Sequence, residues 1–324
     1  MNSKKGETVM KRTLSLLLWC LALPLAAQEK DAGPPLPFKV VENFLKLPDG
    51  VYMAEVVGVS VDSRGRVVVA NRGKLPLMEF NPDGSYVRSF GDGLPFEGPH
   101  SVRHDAQDNL WYIDAGTNLV VRFDAEKRIQ MVLGRRPEPW TWLTHVFERG
   151  IPAPQFFYQP TDVTWGSDGS IYVADGYGNS RVAKFSREGV LVKHWGERGT
   201  GPGNFNTPHS IVIDAKGMLY VADRQNGRIQ TFDTEGNFKQ EWRLGGNPWS
   251  ICITPGARQV LFVGSVGRVY KLDLNGKVLG TMGRFGRVPG TFDWVHAVAC
   301  PDERTLYAAQ ELSWRLDKIV LDGK

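Results

Sequence analysis

The sequence predicts an all-β protein of the six-bladed β-propeller class. Three observations lead to this prediction: a short phrase recurs six times, apolar strands alternate in period two, and Asp-Gly or Asn-Gly turns separate them. The copies begin near residues 56, 99, 160, 208, 248 and 295. That spacing is close to the roughly 40–50 residues of a four-stranded blade, and helical periodicity does not extend over a comparable length.

The repeated phrase places one residue of each unit at an equivalent position. Clear copies read Pro99-His100-Ser101-Val102 and Pro208-His209-Ser210-Ile211. In chain order this repeat position holds Val57, His100, Thr161, His209, Trp249 and His296. Histidine therefore occupies every second copy. In a closed ring of six blades, three such histidines would stand about 120° apart and point at one centre.

The elements of one blade are best seen in the fourth unit. The strand 210–213 is followed by an Asp-Ala-Lys-Gly turn, a second apolar strand at 219–222, a polar loop and a third strand at 227–232. A second turn at 234–237 then leads to a fourth strand that ends near Trp242. Successive antiparallel hairpins of this kind are what a propeller blade requires.

The two ends of the chain are predicted to meet in the last blade. The sixth unit has room for only three strands before Lys324, and the apolar run from Pro37 to Leu45 has no unit of its own. We expect a strand within residues 37–46 to complete the sixth blade and remove an open edge. Residues 135–159 are rich in Pro and Trp and are interpreted as an excursion between the second and third blades.

The first 27 residues are interpreted as a secretory signal peptide. Lys11 and Arg12 precede an apolar run from Leu14 to Leu25, and Ala26-Ala27 offers a small-residue cleavage site. The run is too short to span a membrane. We therefore expect an exported protein, periplasmic or secreted, with a linker at 28–36 and a propeller at 37–324.

Charge and cysteine content limit the partners and the chemistry. Without the leader the chain has 35 basic and 34 acidic residues, a net charge of +1, and no basic run indicates nucleic acid. Cys252 and Cys300 remain, in an oxidising compartment. They lie one residue out of phase on the repeat, so they should face opposite sides of neighbouring sheets, and we expect them not to pair. We expect a monomer.

The three alternate histidines predict a metal centre. Three imidazoles without a fourth protein ligand describe a catalytic zinc site, whose last position is open to water or substrate. The predicted ligands are His100, His209 and His296. The remaining histidines, His104, His145 and His194, break the pattern and are interpreted as structural or exposed.

Loops on the same rim carry further candidates. Because the chain runs down and up within a blade, the loop between its second and third strands lies on the face where its innermost strand begins. Arg72 and Arg224 occupy one position of that loop, and Tyr177 lies one residue further on. Arginine holds carboxylates through a bidentate fork, and a phenol beside a metal can transfer a proton. The structural alternatives are loop salt bridges for the arginines and a stacking role for the tyrosine.

Several of these motifs together resemble peptidyl-α-hydroxyglycine α-amidating lyase, a six-bladed propeller of the NHL-repeat group. The resemblance is dense from about residue 156 to 243 and includes Gln159–Val163, Ile171–Val182, Trp195–Glu197, Pro208–Ser210 and Val221–Gln230. It implies catalytic zinc on His100, His209 and His296. It also implies a catalytic tyrosine at Tyr177 and functional arginines at Arg72 and Arg224.

The activity implied by this resemblance is carbon–nitrogen cleavage of an α-hydroxyglycine compound, which yields an amide and glyoxylate. The substrate would be a peptide or small molecule with a terminal carboxylate. This chain departs from the family at three positions: Gly178 replaces a disulfide cysteine, Trp294 replaces a methionine, and Ala297 replaces an aspartate that helps to hold a structural calcium. The calcium is therefore doubtful here.

Two other classes of function compete with a lyase. A non-catalytic exported propeller could bind a peptide, glycan or protein partner on the same rim, and zinc content with His→Ala changes would separate the two. The second is a calcium-dependent hydrolase such as a lactonase. A resemblance to that class would imply a central funnel lined by Glu, Asp and Asn, whereas the repeat position here offers His, Thr, Trp and Val. The sequence therefore favours the lyase first, the binding propeller second and the hydrolase third.

Overall fold

The computed structural model describes residues 33–136 and 156–322. The signal peptide, most of the 135–159 excursion and His145 lie outside these ranges. The described residues form six four-stranded antiparallel sheets. In five of them the strands follow sequence order from the innermost outward, and in the sixth the outermost strand comes from the N-terminal segment. This is the six-bladed β-propeller that the repeat predicts. In the described residues no helix is long and apolar enough to cross a membrane.

The first three blades follow one another along the chain. Blade 1 comprises β2 (Val56–Val61), β3 (Val67–Asn71), β4 (Leu77–Phe80) and β5 (Tyr86–Phe90). Blade 2 comprises β6 (Pro99–His104), β7 (Leu110–Asp114), β8 (Leu119–Phe123) and β9 (Ile129–Gly134). Blade 3 comprises β10 (Asp162–Trp165), β11 (Ile171–Asp175), β12 (Arg181–Phe185) and β13 (Leu191–Trp195).

The remaining blades complete the ring. Blade 4 comprises β14 (Pro208–Ile213), β15 (Leu219–Asp223), β16 (Arg228–Phe232) and β17 (Phe238–Arg243), with a 3₁₀ turn at Arg224–Asn226. Blade 5 comprises β18 (Ser250–Ile253), β19 (Leu261–Ser265), β20 (Arg268–Leu272) and β21 (Val278–Met282). Blade 6 comprises β22 (Val295–Ala299), β23 (Thr305–Gln310), β24 (Arg315–Leu321) and the N-terminal strand β1 (Phe38–Val41).

The closing strand lies where the sequence predicts it. β1 pairs antiparallel with β24, with Phe38 opposite Leu321 and Val41 opposite Lys318. The predicted hairpin turns are also present. Their glycines Gly84, Gly169, Gly217, Gly236 and Gly276 all have φ between 80° and 86°, a region that glycine adopts at little steric cost.

Within residues 33–136 and 156–322 the core consists of six apolar clusters between neighbouring blades. One cluster joins Val56 and Val59 of blade 1 to Ala297 and Tyr307 of blade 6, so the first and last units pack directly together. The inner strands are buried on both faces because each sheet is covered by a blade on either side, whereas the outermost strands are partly exposed. The propeller is thus closed by packing as well as by the β1–β24 pairing.

The expectation that Cys252 and Cys300 stay unpaired is wrong. They form a disulfide that joins blades 5 and 6, with Cα atoms 6.0 Å apart. The two side chains do face opposite sides of their own sheets. In a propeller, however, the forward face of one blade packs on the backward face of the next, so opposite-facing cysteines of neighbouring blades meet. Both belong to the cluster between those blades.

Candidate metal centre

The three predicted ligands converge on the propeller axis. His100, His209 and His296 lie on the innermost strands of blades 2, 4 and 6, and their ring centroids are 4.7–4.9 Å apart. Each residue is at most 3% exposed. The alternate spacing along the sequence therefore becomes a three-fold cluster of buried imidazoles.

A β-bulge directs each histidine towards the axis. In β6 the register shifts between Pro99 and Ser101, so His100 has no partner across the strand pair. The same shift flanks His209 in β14 and His296 in β22. A bulge inserts an extra residue and bends the strand, which re-aims its side chain. Each of the three histidines thus occupies a bulge rather than an ordinary strand position.

Each imidazole is held by the blade that follows it. Nδ1 of His100 lies 2.7 Å from the carbonyl oxygen of Thr161, Nδ1 of His209 lies 2.6 Å from that of Trp249, and Nδ1 of His296 lies 2.7 Å from that of Val57. A carbonyl only accepts, so each Nδ1 carries the proton. Each Nε2 is consequently unprotonated and carries the lone pair that a metal-binding histidine uses.

The described residues fit a zinc ion. The three ligand atoms lie within 4.8 Å of one another. Atoms so placed stand at most about 2.8 Å from a common centre, so a small ring movement reaches the Zn–N distance of about 2.0–2.1 Å. Nε2 of His296 is buried without any hydrogen-bond partner. A buried imidazole nitrogen that has no hydrogen-bond partner and faces two other imidazoles has the environment of a metal ligand.

Burial keeps the three histidines neutral. The pKa of His100 is lowered to about 3, mainly by desolvation and also by the charges of Arg72 and Arg224, while the hydrogen bond to Thr161 acts in the opposite direction. Desolvation also places the pKa of His209 and of His296 well below its usual range. Neutral imidazole is the metal-binding form, so the site is ready for a cation at neutral pH.

The candidate tyrosine lies directly on this cluster. The hydroxyl of Tyr177 is 3.1 Å from Nε2 of His100 and 3.0 Å from Nε2 of His209. Burial raises the pKa of Tyr177, while Arg224, which is 3.4 Å away, is the strongest influence in the other direction. The phenol is thus positioned to exchange a proton with a group bound at the histidines.

The two candidate arginines differ in their partners. Arg224 is buried, its guanidinium lies 4.3 Å from the ring centre of Trp249, and its Nε has no hydrogen-bond partner. Arg72 instead forms an ion pair with Glu311, at 2.6 Å. Arg224 is therefore the buried cation without an acid among the described residues around the histidines, and Arg72 is already neutralised.

An aromatic wall stands beside Arg224. Trp249 stacks against Trp294, with ring centroids 4.9 Å apart and planes 33° apart, and it also contacts His209 and His296. Trp249 occupies the repeat position of blade 5, directly before β18, and brings a flat apolar surface to the same centre. The wall limits the space on one side of the histidines and leaves a flat face for an apolar group.

Sequence reasoning missed Glu311, Arg103 and Asp162. Glu311 pairs with Arg72 across 239 residues of sequence, and no local pattern indicates that contact. Arg103 and Asp162 carry a weak signal. Asp162 is the only acid among the six residues that follow the repeat position, and Arg103 is the only basic residue three places after it.

Fold and site together define a class: six-bladed β-propellers with a three-histidine centre on the axis. A family model described as a 6-bladed beta-propeller matches residues 158–265. Peptidyl-glycine alpha-amidating monooxygenase A of Xenopus laevis is 32% identical over 262 residues, which is 74% of this chain and 27% of that protein.

Two further relatives are also similar. The probable peptidyl-alpha-hydroxyglycine alpha-amidating lyase pgal-1 of Caenorhabditis elegans is 35% identical over 207 residues, 56% of each chain. The human NHL repeat-containing protein 3 is 32% identical over 208 residues, 60% of this chain and 55% of that protein. The chain spans between about a quarter and just over half of these relatives' lengths. It is a six-bladed β-propeller homologous to the α-amidating lyases and to NHL-repeat proteins.

Proposed function

We propose that this chain is a zinc-dependent lyase that cleaves the carbon–nitrogen bond of an α-hydroxyglycine compound and releases an amide and glyoxylate. One observation carries the proposal. Three Nε2 lone pairs, the hydroxyl of Tyr177 and the guanidinium of Arg224 converge on one small volume at the propeller axis. Homology to proteins named as amidating lyases supports the same activity.

The metal would be held by His100, His209 and His296. Zinc bound there would supply a Lewis acid for the substrate's α-hydroxyl oxygen. The carbonyl partners of the three Nδ1 atoms fix the ring orientations before any ion arrives, which lowers the cost of assembling the ligand shell.

Tyr177 would accept the proton of that α-hydroxyl. Its oxygen already lies within hydrogen-bonding distance of two ligand nitrogens, so a hydroxyl bound at the centre would lie within its reach. Burial on balance raises the pKa of Tyr177, and Arg224 opposes part of that rise. As the hydroxyl becomes a carbonyl, the C–N bond breaks and the amide nitrogen leaves with the electron pair. The proton taken up by Tyr177 would then pass to that nitrogen, so the amide leaves neutral and glyoxylate remains.

Arg224 would bind the carboxylate of the glycine-derived part. Its cation is buried, has no acidic partner among the described residues around the centre and has an unsatisfied Nε donor. A carboxylate would satisfy both the charge and the donor. Arg72, on the opposite blade, would contribute less because Glu311 already pairs with it. Of the two arginines that the sequence suggests for carboxylate binding, Arg224 is therefore proposed to contribute more than Arg72.

We also propose that the chain works outside the cytoplasm, on a substrate with one terminal carboxylate. The leader-like N-terminal sequence and the Cys252–Cys300 disulfide both support export to an oxidising compartment.

Metal analysis followed by a glyoxylate-release assay tests the activity. We expect about one zinc per chain and glyoxylate from a small α-hydroxyglycine compound. His209→Ala should lose both metal and activity while the fold remains, because the blades pack without the ion. His194→Ala is the matched control, since His194 lies on an outer strand, and it should retain both. A zinc-loaded protein that releases no glyoxylate would leave the binding-propeller function in its place.

A further inference from the structure

A second charged group lies on the axis next to the three histidines. Arg103 follows His100 on β6 by three residues, and its guanidinium forms a bidentate ion pair with Asp162 of blade 3. Nε lies 2.9 Å from one carboxylate oxygen and Nη2 lies 2.5 Å from the other. We call this contact the axial ion pair. The side chain of Asp162 is 2% exposed and that of Arg103 is 17% exposed.

The axial ion pair links four successive blades. Besides Asp162 of blade 3, Arg103 donates to the hydroxyl of Ser210 in blade 4, at 3.1 Å, and to the carbonyl of Ile251 in blade 5, at 2.9 Å. Its reach from blade 2 to blade 5 crosses the axis, because these blades are on opposite sides of the ring. One side chain thus ties together blades that share no sheet.

Asp162 has no capacity left for another cation. It accepts hydrogen bonds from Arg103, from the hydroxyls of Ser101 and Ser210, and from the backbone N–H groups of Val163 and Ile211. An ionised carboxylate offers about four lone-pair sites, so these donors occupy all of them.

The space between the axial ion pair and the histidines is very small. The cavity there has a volume of about 10 Å³ and is lined by both groups together with Ala297. A single water needs roughly that much room. The cavity cannot contain a hydrated ion in addition to a metal at the histidines.

These residues do not fit the structural calcium that the resemblance implies. Calcium takes 6–8 oxygen ligands. The position after His296 offers only the methyl group of Ala297, and the nearby carboxylate of Asp162 is fully used. The positive charge on the axis is already present as a guanidinium.

We propose that Arg103 is the built-in cation of this propeller: it holds the axis together without calcium and positions the metal-binding histidines. The positioning follows from the chain. Asp162 is adjacent to Thr161, whose carbonyl holds His100, and Ser210 is adjacent to His209. The structural part of this proposal does not depend on lyase activity, and only its zinc measurement rests on the proposed metal centre.

The first test uses the unaltered protein. After chelation and resupply of zinc, thermal unfolding is measured in calcium-free buffer and with millimolar calcium, and calcium binding is measured by equilibrium dialysis. We expect equal Tm values and no stoichiometric calcium. One tightly bound calcium per chain with a raised Tm would overturn the proposal.

The second test changes the cation. R103A should lower the Tm by about 5–10 °C, because it leaves a buried carboxylate unpaired, and it should weaken zinc binding by about 10–100-fold. Low millimolar methylguanidinium should restore part of the Tm. R128A, which removes an exposed ion pair with Asp124, is the control and should change neither quantity.

The third test converts the site. The double variant R103A/A297D puts a second carboxylate beside Asp162 in place of the guanidinium, and its Tm should rise on addition of calcium.

If R103A retained the wild-type Tm and zinc affinity, Arg103 would have no role on the axis. R103K, which keeps the charge and loses the bidentate geometry, provides the same comparison if R103A does not fold.

Discussion

Tyr177→Phe is the most informative single change at the candidate site. It removes one oxygen that lies 3.0–3.1 Å from Nε2 of His209 and of His100 and 3.4 Å from Arg224. The aromatic ring remains, with its edge-on contacts to the two imidazoles at centroid distances of 5.4 and 5.7 Å. Packing is therefore nearly constant while the proposed base is lost.

We expect a large loss of turnover and little change in zinc content. General-base catalysis contributes about 10²–10⁴-fold, which corresponds to about 3–5 kcal/mol of activation free energy. In the metal-free protein the same change removes the single hydrogen bond that the phenol can donate to one of the two buried imidazole nitrogens, at a cost of about 1–3 kcal/mol. The variant should therefore be less stable than wild type without zinc, and this difference should become smaller with zinc.

The assay is glyoxylate release at saturating substrate, together with zinc content and thermal unfolding of the loaded and metal-free forms. Tyr220→Phe is the matched control, because its buried hydroxyl bonds to Asp214 at 3.0 Å and is remote from the histidines. That control should lose stability and keep turnover. Full glyoxylate release by Tyr177→Phe would refute the assignment and reduce the phenol to a wall of the pocket.

Other measurements test the remaining contacts. Arg224→Ala should raise KM by about 10–100-fold for substrates with a free carboxylate and have little effect on their amidated analogues; an equal effect on both would contradict a carboxylate role. Glu311→Gln should free Arg72 and lower the KM for the same carboxylates a few-fold, and a raised KM would show that the ion pair helps binding. Burial lowers the pKa of His104 to about 4, with a further contribution from a nearby lysine. The unfolded state therefore binds a proton first as the pH falls below about 6.5, and stability should decline from there to about pH 4, by up to roughly 3 kcal/mol. His104→Gln should remove that part of the pH dependence of the unfolding free energy, measured by denaturant titration. An unchanged pH dependence would contradict the assignment to His104. Replacing Cys252 and Cys300 by serine should cost about 2–4 kcal/mol of unfolding free energy, measured against wild type with and without reductant; equal stability would mean that the disulfide contributes nothing.

The sequence by itself determined the architecture. Strand alternation and turn chemistry act over a few residues, so each unit specifies its own hairpins. The turn glycines have the positive φ values that such turns require. Six units and a short last one then require an N-terminal strand, which is β1. The histidine cluster followed for the same reason: a residue repeated at one position of identical units takes the same place in every blade.

Only the tertiary structure decided which side chains pair. Glu311 reaches Arg72 because blades 6 and 1 become neighbours when the ring closes, and Arg103 reaches Ile251 because blades 2 and 5 face each other across the axis. The Cys252–Cys300 disulfide shows most clearly which contacts the local sequence does not predict. The alternation of side chains gave the correct face for each cysteine, but the packing of one blade's front on the next blade's back made those faces meet. Local periodicity fixes the direction of a side chain within its sheet, whereas its partner depends on long-range closure that no short window of sequence contains.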